Sequence, residues 1–137
     1  MNYDFKSILN NNVSVYNGEH KDIIKKAPEL YDLATKLLRD PLVNMEFRSK
    51  LLVAIGYLAI PNDLYPEDEH GPIGYVEDIM LLLHIFRDIN SNAGRRPLLQ
   101  NWSGSEAELK AALGENFITL KNSFPQLYEE VLKFTGV

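Results

Sequence analysis

Residues 51–83 read LLVAIGYLAIPNDLYPEDEHGPIGYVEDIMLLL, two apolar runs on either side of a stretch rich in proline, glycine and acid. The first run closes a helix predicted over about 43–60, apolar on all sides from Leu51 to Ile60, which marks an element wrapped by neighbours and central to the core. The second opens a helix predicted from Tyr75 to about Ile89. Val76, Ile79, Met80, Leu83 and Phe86 share one face, extended by Leu82, Ile85 and Ile89. Between them, PNDLYPEDEHGPIG holds three prolines and two glycines in fourteen residues, more backbone restriction than a helix can cross. Two helices too apolar to face water pack against each other, so the expected unit is a helical hairpin with its acids at one end.

The flanks extend the helical pattern. Asn17-Gly18 is a turn signal, Pro28 suits the first turn of a helix, and Leu30, Leu33, Ala34, Leu37 and Leu38 recur at helical spacing until Asp40-Pro41. Beyond the hairpin, Asn90 to Gly104 reads as an irregular connection. Ser105 with Glu108 forms a capping box for a short helix that Gly114 would close, and Ser123 with Gln126 repeats the box around Pro125 before a last amphipathic helix. No alternating strand pattern persists. The expected fold is all-α, a compact bundle of about five or six helices around the hairpin, with residues 1–137 as a single helical domain.

Composition narrows the function classes. The chain has 137 residues, 14 Lys and Arg against 19 Asp and Glu, a net charge of −5 and no cysteine. Disulfide and zinc-thiolate scaffolds are excluded, and the acidic balance argues against nucleic acid as a partner. The charge is concentrated. Asp63, Glu67, Asp68, Glu69, Glu77 and Asp78 fall between Pro61 and Asp78 without a Lys or Arg, and the remaining chain is close to neutral. The first residues carry Asp4 and Lys6 where a signal peptide would be apolar, so a cytoplasmic location is expected, and no run is long enough to span a membrane.

The hairpin resembles the YkvA-like family of small helical proteins, a family of unknown function. Tyr57, Leu58, Pro61, Asp63, Leu64, Pro66, Gly74 and Asp78 sit on its pattern of an apolar helix ending in Tyr-Leu, a Pro-x-Asp-x-x-Pro turn, a loop to Gly and an acid pair opening a second helix. The resemblance covers about residues 30–90. Glu67 and Glu77 stand where the family has Asp, and the loop to Gly74 is one residue longer. What the resemblance implies is a helical hairpin with acids at its tip, and no particular activity.

Clustered carboxylates without local counter-charge have two readings. In one, Asp63, Asp78 and one of Glu67 or Glu77 hold Ca²⁺, Mg²⁺ or Mn²⁺, hard cations that prefer oxygen, as in a metal-dependent hydrolase. In the other, Asp63 satisfies turn amides while Glu77 and Asp78 complement the positive end of the helix they open. An EF-hand is excluded, because counting from Asp63 places Asp68 at the glycine position and Gly74 at the glutamate position. His84 and Asp88 lie one turn apart as a possible ligand pair on a stripe shared with Glu77, a stripe read as the solvated edge of its helix. His70 is a loop residue that would reach a carboxylate site. No nucleophile elbow, phosphate loop or dinucleotide fingerprint occurs. Arg95-Arg96 near Trp102 is a small candidate phosphate contact, and Lys21, Lys25 and Lys26 beside Ile23 and Ile24 suggest a weakly basic membrane-surface stretch. The leading expectation is a non-enzymatic interaction or regulatory module. It would bind a protein partner or a second copy of itself through the hairpin loop or an apolar face left exposed by the irregular connection, with peripheral membrane contact as a further alternative.

Overall fold

The computed structural model describes residues 5–59 and 75–137. Its regular structure is helical, with no strand among the described residues. In chain order the segments are α1 (Phe5–Val13), α2 (Lys21–Ile24), α3 (Ala27–Arg39), α4 (Met45–Ala59), α5 (Val76–Ala93), α6 (Arg96–Asn101), α7 (Glu106–Ala111), α8 (Phe117–Ser123) and α9 (Pro125–Thr135), and a π turn at Ala112–Asn116 joins α7 to α8. These are more segments than the five or six expected; α6, for one, is six residues long, too short to display a helical period, and lies in the stretch read as an irregular connection.

Local chemistry accounts for several helix ends. Pro28 occupies the first turn of α3 as its missing N–H allows, Lys36 and Arg39 complement the negative end, and Asp40 leaves the helix in an extended conformation. The Asn44 carboxamide accepts the Phe47 N–H at 3.2 Å and so opens α4. Ser105 and Glu108 form the expected reciprocal box at the start of α7. Three expectations are corrected. The stretch from Asn90 to Gly104 is not irregular throughout: α5 runs on to Ala93 and Gly94 ends it at φ 86°, after which Pro97 lies in the first turn of α6 and Leu98 is buried. Gly114 does not close α7, since the π turn carries the chain on with the Phe117 N–H donating to the Ala112 carbonyl five residues back. Ser123 does not cap α9 either; Phe124 stands at that position without a side-chain cap, and Pro125 begins the helix.

The core is organised around α5. Its residues Val76 to Leu83, with Ile85, Phe86 and Ile89, are all buried, and it packs against α3, α4, α6, α8 and α9. Buried apolar side chains from α1 through α9 join it in one cluster. The expectation that 43–60 is the central, wrapped helix does not hold. Phe47, Leu51, Ala54 and Tyr57 of α4 are buried, but Met45, Leu52 and Val53 on its other side are 70%, 61% and 42% exposed. An all-apolar sequence shows that a helix can be enclosed; neighbouring elements determine whether it is.

Candidate functional site

The loop-side ends of α4 and α5 meet, as the hairpin requires. Glu77 and Asp78 lie in the first turn of α5 and both are buried, at 0% and 1% exposure. The Tyr57 hydroxyl, from α4, donates to Glu77 Oε2 at 3.0 Å. Positive charge density at the helix N-terminus and this phenol are the kind of compensation a buried carboxylate needs where no Lys or Arg is near in sequence. The start of the same helix is also tied to α1, where the Asn12 carboxamide donates to the Tyr75 hydroxyl at 3.0 Å. Of the expected metal set, Glu77 and Asp78 are therefore adjacent and enclosed, while Asp63 and Glu67 lie outside the described residues, as do Pro61, Pro66, His70 and Gly74. Among the described residues, no three histidine, aspartate or glutamate side chains are grouped to hold a metal ion.

Of the stripe Glu77–His84–Asp88, read as a solvated edge, Glu77 is buried while His84 and Asp88 are partly exposed, and its members turn to different partners. Glu77 is enclosed against Tyr57. His84 Nδ1 shares a hydrogen bond of 2.7 Å with the Tyr128 hydroxyl of α9. Asp88 accepts from Lys50 of α4 at 3.1 Å, and Asn92 donates to it at 2.9 Å. His84 and Asp88 thus fasten α5 to helices on two sides rather than forming a ligand pair. Burial holds the His84 imidazole below its ordinary pKa; Asp88 acts in the opposite direction, while Lys50, Arg87 and Lys121 reinforce the lowering.

Of the basic candidates, Arg96, Lys21 and Lys25 are exposed, while their neighbours are drawn into the structure. Trp102 is buried and its indole N–H donates to the Ser105 carbonyl at 2.8 Å, so it is not offered to a base, and Arg95 stands 3.9 Å from Glu106. Ile23 and Ile24 are in the core, which removes the apolar half of the stretch expected to rest on a membrane. Lys26 is paired with Glu108, whose carboxyl that ammonium and the Ser105 cap hold down at about 2. Among the described residues, no helix is long and apolar enough to cross a membrane.

Sequence reasoning missed the outer side of α4. Met45, Ser49, Leu52, Val53 and Gly56 follow one another at helical spacing and are exposed, a stripe bordered by exposed Glu46, with exposed Leu42 just before the helix. Phe134 of α9, also exposed, packs edge-on against Tyr57 with ring centroids 5.7 Å apart. No signal in the sequence distinguished the two apolar helices, because enclosure depends on which remote segments cover them.

No family model matches the chain, and no solved structure matches it. The chain does have a relative. A protein of Methanothermobacter thermautotrophicus described as uncharacterized protein ORF9 is 30% identical over 97 residues, which make up 71% of this chain. The matched part spans 66% of that protein's length.

Proposed function

We propose that this chain is a non-enzymatic helical module of the YkvA-like kind, which associates with another protein surface through the outer face of α4. The exposure of Met45, Leu52 and Val53 together on one side of α4 carries the reading, since grouped apolar side chains at a surface are typical of association sites. Gly56 adds to it. A Cβ at this position would meet nothing within 4 Å, yet mid-helix glycine costs up to about 1 kcal/mol relative to alanine. Its small size suits the close approach of a second surface. The experiment is sedimentation at rising concentration, with retention of protein by the immobilised chain, for the wild type and for Leu52→Glu. Association lost in the variant at an unchanged melting temperature supports the module; a strictly monomeric wild type that retains no more than the variant overturns it.

A second reading, a metal-dependent hydrolase with ligands among Asp63, Glu67, Glu77 and Asp78, draws on the enclosed acid pair at the start of α5. It expects Ca²⁺, Mg²⁺ or Mn²⁺ to raise the melting temperature of the wild type more than that of the Asp63→Asn, Asp78→Asn variant. Equal responses would remove it.

A further inference from the structure

On a different side of the molecule, the Asn17-Gly18 turn and α2 face the junction of the π turn with α8 across a cavity of about 340 Å³. Gly18, His20, Lys21 and Asp22 form one wall; Asn116 and Thr119 belong to the other. We propose that this cavity binds a small molecule bearing an oxyanion, a phosphate or a carboxylate group.

Two backbone irregularities meet there. His20 has φ 61° and ψ 22°, the sole positive φ of a non-glycine among the described residues. Glycine takes this conformation without steric cost, whereas a residue with a Cβ takes it at some cost, and such positions gather at ligand sites. On the opposite wall, Asn116 is the last residue of the π turn, a form of helix that also recurs at functional sites. Both walls are held in place. The His20 ring packs on Phe124 at 5.6 Å between centroids, Lys26 is paired with Glu108, and Gly18 leaves room for the Tyr16 hydroxyl, which a Cβ would meet at 2.3 Å. A binding site formed in advance has less ordering to pay on binding.

The lining determines the ligand class. Lys21, Asn116, Thr119 and His20 supply donors, against the single carboxylate of Asp22. The described partner of the Lys21 ammonium is the neutral Asn17 carboxamide at 3.2 Å, so its charge is open to an anion, unlike that of Lys26. The volume lies at the small end of the range for ligand pockets, enough for a compact metabolite. The basic stretch around Lys21, without a use in the proposed association, acquires one here.

The test is an amide NMR titration of the full chain with inorganic phosphate and, separately, with acetate, at constant ionic strength against chloride. Saturable shifts confined to residues 18–23 and 116–119 are expected, and the stronger of the two probes identifies the phosphate or carboxylate source. Lys21→Met should weaken binding by about tenfold, as loss of one charge-assisted hydrogen bond implies. His20→Gly relieves the backbone but removes the ring that packs on Phe124, and should weaken binding. Shifts no larger than those with chloride, or binding unchanged in both variants, would overturn the proposal.

Discussion

The phenol of Tyr57 crosses from α4 to the carboxyl group of Glu77 in the first turn of α5, and this contact helps to accommodate an acidic side chain inside an apolar hairpin. Glu77 is enclosed at a helix N-terminus and receives a hydrogen bond there. Tyr57→Phe keeps the ring and removes the donor, so it should destabilise the protein by about 1–3 kcal/mol, measured by urea unfolding. His84 supplies a second residue-scale test. Burial lowers its pKa from 6.5 in the folded chain, so between that folded value and 6.5 the unfolded chain binds more protons. Stability contributed by the neutral imidazole is complete above about 6.5 and is lost as pH falls through the folded value. Melting temperatures recorded from pH 8 downward should decline more steeply below about 6.5 for the wild type than for His84→Gln, which cannot take up the proton.

At the scale of the element, the rod from α7 through the π turn to α8 has a specific internal cause and a specific support. Leu109, Ala112 and Leu113, and after the π turn Phe117 and Leu120, form one buried face along the rod. The register change is matched from outside, where the Arg87 guanidinium donates to the Leu113 carbonyl at 2.6 Å and lies over the Phe117 ring at 4.4 Å. Arg87→Met should destabilise by about 1–3 kcal/mol through loss of that donor. Gly114 does not have a positive φ, and a Cβ on it would meet nothing within 4 Å. Gly114→Ala should therefore stabilise by about 0.5–1 kcal/mol, a rise in the unfolding midpoint that denaturant titration would show. A glycine read from sequence as a stop signal thus proves to be an interior residue. Nothing local distinguishes the two, and the contact that supports the continuation comes from Arg87, which is remote in sequence and reaches the turn only in the folded chain.

Across the whole molecule, the contrast between α4 and α5 matters most, because two runs of similar composition end in different environments. Phe86→Ala, within α5, should cost about 3–5 kcal/mol, whereas Leu52→Ala on the outer side of α4 should change stability by no more than about 0.5 kcal/mol. Thermal or denaturant unfolding of the two variants would check this ordering, and equal losses would mean that α4 is covered in solution. The sequence by itself determined the helical class, the two hairpin helices, the proline start of α3 and the capping box of α7, because periodicity, capping and proline geometry act within one or two turns. It also brought the loop-side ends of those two helices together, through the packing that two apolar runs require; that Tyr57 is a partner of Glu77 there came from the structure. Only the tertiary structure decided which helix is enclosed, that His84 and Asp88 fasten separate neighbours, and that α4 presents an apolar face. Those outcomes depend on which distant segments cover a surface, and coverage arises from contacts between residues far apart in the chain.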